Sequence, residues 1–184
     1  MGIFGRKKKE DSSPATSDIE FYNQVLGTLH HYFTEKGYLK KDIIVIPEVF
    51  EKGKKSVLEI LKEEDLKMHC KTPDDYYYVL SIVSFTHGML YAEFWKNDYD
   101  QFKKTFDKYS YDDTSDIFAE EFLEEYYGLD NFKRKELFSN IFEEWKKLIL
   151  PYMNNRKARD YVYLSFIAVY NLGVCFIMEK YGEA

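Results

Sequence analysis

Apolar residues recur along this chain every three or four positions, the period of a helix with one buried face. The first run is Phe21, Val25, Leu26, Leu29, Tyr32 and Phe33. Ser17 and Glu20 ahead of it have the spacing of a capping box, in which hydroxyl and carboxylate satisfy first-turn amides reciprocally. With Gly37 as a stop, the pattern predicts a helix over 18–36. Residues 43–46, Ile-Ile-Val-Ile, read as an extended connector or a first helical turn, because the chain offers no comparable strand to pair with them. Pro47 suits a first helical position and opens a helix to about residue 64, with Gly53 and Ser56 marking a candidate break at 53–56.

Thr72-Pro73-Asp74-Asp75 is the clearest start in the chain: an N-cap, a first-turn proline and two acids at the positive helix end. The helix that follows, to Trp95, is apolar on nearly every side, as a central helix is. Shorter patterns predict helices over 98–109 and 115–127, the second stopped by Gly128. Leu137, Phe138, Ile141, Phe142, Trp145, Leu148 and Ile149 form one stripe of a helix over 131–150, ended by Pro151, and a last apolar helix runs from about 157 to 180. His69 and Cys70 fall in a loop. No segment alternates with a period of two. The expected fold is all-α, a single-domain bundle of six or seven helices over 17–184, behind a flexible basic and polar leader at 1–16.

Two of these helices echo each other. Asp75, Tyr76, Tyr78, Ile82 and Gly88 reappear 85 residues later as Asp160, Tyr161, Tyr163, Ile167 and Gly173. The helices before them fall at about the same offset, which is what an internal duplication of a helical pair produces. Small residues at helical spacing (Ser81, Ser84, Gly88 and Ala92; Ser165, Ala168 and Cys175) predict that the two helices pack closely at the centre.

Composition narrows the function classes. With 184 residues and 45% hydrophobic residues, the chain has a core and no more than one domain of ordinary size. Two cysteines exclude a disulfide-stapled fold and fit a reduced, cytoplasmic protein. The net charge of −6 speaks against a nucleic-acid binder. Residues 161–178 carry no charge, but Asn171 and three tyrosines dilute them, and the upstream helices need a buried partner; the expectation is a core helix and no transmembrane span. Gly2 lacks the hydroxyl residue that myristoylation wants at position 6, where Arg6 stands. Arg6, Lys7, Lys8 and Lys9 read as a solvated tail, with contact to an anionic membrane surface as the minor alternative.

No catalytic motif, metal-ligand spacing or cofactor fingerprint appears, so neither an enzyme activity nor a cofactor or metal is expected. His31 and Glu35 share a helix face, but two ligands do not make a metal site. His87 is embedded in the most apolar helix, and the 85-residue offset sets Asn171 opposite its neighbour Thr86. The pair is a candidate polar core or the floor of a ligand pocket between the central helices.

The one compositional anomaly is acidic. Between Asp107 and Asp130 nine acids face one base, Lys108, a larger negative charge than that of the whole chain. Asp116, Glu120, Glu121, Glu124, Glu125, Tyr126 and Tyr127 are the candidate interaction residues, the acids steering a basic partner and the tyrosines giving rigid contact area. The leading expectation is a non-enzymatic cytoplasmic protein that works by protein–protein contact, such as a small acidic inhibitor or immunity-type protein occluding a basic target. The alternative is a helical bundle binding a small apolar or aromatic ligand between its central helices.

Overall fold

The computed structural model describes residues 17–40, 47–95 and 114–181. The predicted leader at 1–16, connector at 43–46 and helix over 98–109 lie outside the described residues. Within them, seven α-helices and no strand are found: α1 (Asp18–Glu35), α2 (Pro47–Lys62), α3 (Glu64–His69), α4 (Pro73–Trp95), α5 (Thr114–Tyr127), α6 (Asn131–Ile149) and α7 (Ala158–Tyr181). A short 3₁₀ turn, Leu150–Tyr152, follows α6 around Pro151.

The local signals act as their chemistry dictates. Ser17 Oγ accepts from the Glu20 amide, and the Glu20 carboxylate accepts from the Ser17 amide, closing the capping box. Thr72 and Asp75 make the same reciprocal pair at the start of α4. Gly37 and Gly128 both adopt positive φ, 79° and 63°, where a side chain would be strained, and each turns the chain out of its helix. Two expectations are corrected. Gly53 does not break α2, which runs unbroken through it; a Cβ there would crowd Ile167 and Tyr170 of α7 at 3.0 and 3.1 Å. His69 ends a helical turn rather than lying in a loop: Glu64–His69 is too short to show an apolar period.

The central layer is α4 against α7, the most extensive helix contact in the molecule. Their first turns line one cavity together, through Tyr76 and Tyr77 on one side and Ala158 and Val162 on the other, so the two helices run parallel. They approach backbone to backbone. A Cβ on Gly88 would collide with the Tyr170 carbonyl, and a Cβ on Gly173 with the Phe85 carbonyl. These are one contact seen twice, since Phe85 and Gly88 stand 85 residues before Tyr170 and Gly173.

That equivalence extends outward. Helix α1 packs on α7 as α5 packs on α4, and α2 and α6 each touch both central helices. Gly53 of α2 faces Tyr170, while the ring of Phe138, 85 residues on, meets Phe85 at 6.3 Å. Thr86 donates to Asp116 of α5, and Asn171, its counterpart, donates to Tyr22 of α1. The bundle is thus two three-helix units, α1–α2–α4 and α5–α6–α7, interleaved so that each unit's first helix rests on the other's third. A duplicated helical unit would have this form. Helix α7 is long and apolar enough to cross a membrane by length and composition, and 89% of its most apolar stretch is buried inside the bundle.

Candidate functional site

The acidic candidates sit on α5 and its exit. Its apolar positions Ala119, Phe122 and Leu123 are buried, which turns Ile117, Glu120, Glu121, Glu124 and Glu125 outward. Ile117 is 57% exposed, an aliphatic side chain amid four carboxylates. Asp107, Asp112 and Asp113 lie outside the described residues.

The turn after α5 brings a cation to this surface. Gly128 redirects the chain, and Asp130 caps α6 by accepting from the Lys133 amide. Arg134 in the first turns of α6 then reaches back. It donates to Glu124 Oε2 at 3.3 Å and to the Leu129 carbonyl at 3.0 Å, and lies 4.0 Å from Glu120 Oε2. With only 11% of its side chain exposed, Arg134 ties α5 to α6 and neutralises part of the acidic face. Among the described residues no ion pair holds Glu121 or Glu125.

The remaining candidates divide. Asp116 accepts from Thr86 Oγ1 at 3.1 Å and ties α5 to α4. Tyr126 is 38% exposed, its ring against Phe122 and Tyr181 at 4.7 and 5.5 Å. Tyr127 turns inward: its hydroxyl donates to the Phe176 carbonyl at 2.9 Å, and Lys180 lies over its ring. Burial, aided by the Glu179 carboxylate, pushes that hydroxyl's pKa well up. Tyr127 therefore holds α5 on α7, and the accessible aromatic of the pair is Tyr126.

His87 and Asn171 are buried in the core and held from different helices. His87 Nδ1 is 3.4 Å from Ser56 Oγ of α2. Burial lowers its pKa to about 4, so the imidazole is neutral at pH 7. Asn171 donates to the Tyr22 hydroxyl at 2.6 Å, and its Oδ1 accepts from Cys175 Sγ at 3.8 Å. Burial pushes the Tyr22 hydroxyl up, and carries the Cys175 thiol up to about 12, which keeps it protonated and unreactive. Two described cavities, of about 310 and 240 Å3, open elsewhere, and neither His87 nor Asn171 lines them. His31 Nε2 lies 3.4 Å from Glu35 Oε1 on the exposed side of α1, and among the described residues no cluster of three metal-ligating side chains forms.

Arg134 is not legible from the acidic segment, because it stands four residues beyond Asp130, the segment's last acid. The signal was present in the spacing: an Asp cap followed by a base places that base in the first turns of the next helix, beside the helix just left. The larger cavity is not legible either. Its lining, including Leu61, Lys67, Tyr76, Tyr77, Arg159 and Val162, comes from four helices and has no local pattern. Compared with protein-family models, with curated proteins and with solved structures, the chain finds no match.

Proposed function

We propose that the protein acts by contact with another protein, without chemistry of its own, and that the outer face of α5 meets a basic partner. The observation that carries this reading is Ile117. It stands on the outward face with Glu120, Glu121 and Glu124 at i+3, i+4 and i+7, and with Glu125 at the edge. An apolar anchor ringed by charge has the anatomy of an interface, with desolvated contact at the centre and steering charge at the rim. Arg134 gives this face rigidity, since a helix tied to its neighbour loses little freedom on binding. A small acidic inhibitor or immunity-type protein is the class this reading fits, on size and charge. The free cysteines, Cys70 and Cys175, fit a reducing cytoplasmic setting.

The test is capture of partners from the source cells with three baits. Changing Glu120, Glu121, Glu124 and Glu125 to Gln should reduce recovery and remove its dependence on salt, because charges beyond ~8 Å are already screened at 0.15 M. Ile117→Asp should abolish recovery while helix content stays the same. Equal recovery of the same proteins by all three baits would remove α5 from the account.

A further inference from the structure

The two halves of the bundle place different side chains at one equivalent position, and the difference leaves an opening. Where α6 crosses the central pair, Trp145 fills the seam. Its ring stacks on Phe166 at 4.8 Å and lies 5.3 Å from Tyr77, and its Nε1–H donates to Ser165 Oγ at 2.7 Å. One residue on, Lys146 pairs with Asp74 and closes the edge. Eighty-five residues earlier, α2 crosses the same pair with Ile60 in place of Trp145, and α4 carries Ser81 in place of Phe166. The counterparts of Lys146 and Asp74 are Leu61 and Arg159. Here the indole and its stacking partner are replaced by much smaller groups, and the ion pair by an aliphatic side chain and a lone cation.

The opening lies in this half at the place of the ion pair rather than of the indole: Leu61 and Arg159 line it, while Ile60 and Ser81 are buried. A cavity of about 310 Å3 has Leu61, Tyr76, Tyr77, Val162, Arg159 and Lys67 in its lining. Among the described residues no ion pair holds Arg159, and Lys67 lies 5.8 Å from the centre of the Tyr76 ring. The walls are apolar and aromatic and both charged groups are positive. The volume falls at the lower end of the ~300–1,000 Å3 usual for small-ligand pockets. The first turn of α7, which carries Arg159, adds the positive end of a 24-residue helix.

We propose that this cavity binds a small aromatic carboxylate, its ring held among Leu61, Tyr76, Tyr77 and Val162 and its carboxylate pairing with Arg159. A planar guanidinium binds a carboxylate through two parallel hydrogen bonds, which fixes the ligand's direction as well as its charge. Lys67 supplies a second positive charge to the lining. The site is separate from the α5 face, so either can fail without the other.

The probes are indole-3-acetate, neutral indole and cationic tryptamine, titrated into the full chain and followed by calorimetry and by amide chemical shifts. Indole-3-acetate should bind with Kd near or below ~1 mM, as about thirteen heavy atoms at an ordinary ~0.3 kcal/mol each allow. It should bind about tenfold more tightly than indole, the difference one charge-assisted pair supplies, and tryptamine more weakly than either. Arg159→Gln should erase the preference for the acetate over indole and leave indole binding unchanged. Leu61→Trp and Val162→Tyr, the latter copying Tyr77 in the other half, each fill the cavity and should abolish binding of all three probes with thermal unfolding unchanged. If one of the two fails to fold, the other decides. Absence of saturable binding, equal affinity for indole and its acetate, tighter binding of tryptamine, or full binding by a folded filled variant would each overturn the proposal.

Discussion

The seam between α2 and the central helices and the seam between α6 and the same helices share a backbone frame and differ in filling. The α6 seam is aromatic: Trp145 on Phe166, Phe142 edge-on to Tyr78 at 5.6 Å, and Ile141 beside it in sequence. The α2 seam is thinner and more polar. Ser56 stands where Ile141 does, His87 where Leu172 does, and Ile60 where Trp145 does. What holds the frame in both is the glycine-mediated contact of α4 with α7, which makes no use of side chains at its closest point. Geometry set by backbone contact leaves the flanking positions free to differ, and in this molecule one flank is filled to its edge while the other leaves a cavity beside Leu61 and Arg159.

Truncating the filled seam should give the largest effect. Trp145→Ala removes a ring that is 1% exposed together with its hydrogen bond to Ser165, whose hydroxyl keeps its own bond to the Val162 carbonyl; a loss of about 3–5 kcal/mol is expected. Ile60→Val, at the equivalent position, should cost about 0.5–1.5 kcal/mol. Urea unfolding of both variants checks the ordering. Similar losses at the two sites would mean that the thin seam is packed as tightly as the full one.

The sequence carried the fold well, for a physical reason. Helix period, caps and stops are local, and Ser17, Thr72, Pro73, Gly37 and Gly128 each act within one turn of where they stand. The close packing of the two central helices was legible as well, because small residues at helical spacing have few other uses. The site was only half legible. Charge on α5 shows in composition, but which carboxylates are already paired depends on Arg134, whose position is fixed by a turn. His87 and Asn171 read as possible pocket residues because a buried polar side chain looks the same in sequence whether a ligand or a protein group satisfies it. Here Ser56 and Tyr22 reach them from helices 31 and 149 residues away. The half-buried Ile82 shows the same limit: an apolar residue in a central helix does not reveal which side its neighbours leave uncovered.

The polarity of the α2 seam can be tested by pH. Desolvation holds the folded-state pKa of His87 at about 4, below the usual 6.5. The stability its neutral form supports is therefore complete above pH 6.5 and is lost as pH falls toward 4, where the unfolded chain takes up a proton that the folded chain refuses. At the acid end of that window the loss should be about 3 kcal/mol. The double variant Ser56→Ile with His87→Leu copies Ile141 and Leu172 of the other seam. Its stability should lack the one-proton slope between pH 6.5 and 5 that the wild type shows, while carboxylates common to both proteins cancel in the difference. Parallel pH profiles would show that His87 is solvated in the folded state.

A smaller and sharper contrast lies at Thr86 and Asn171, the same position in the two halves. Each side chain donates to the first helix of the opposite unit, but the acceptors differ in access to water. The Tyr22 hydroxyl is fully buried, with a relative exposure of 0%, so Asn171→Leu would leave it without its donor in an apolar setting. A stranded buried polar group costs about 1–3 kcal/mol. The Asp116 carboxylate accepts from Thr86 at the surface end of its contact, and Asp116 is exposed. Thr86→Val would let water replace the lost donor, so the cost should be about 0.5 kcal/mol, the level of an ordinary exchange of a protein hydrogen bond for one to water. Thermal unfolding of the two variants measures the difference directly. If Thr86→Val proves as costly as Asn171→Leu, water does not reach Asp116, and α5 is seated more deeply on α4 than its exposed acids imply. The acidic face would then be narrower, with Glu121, Glu125 and Ile117 as its centre.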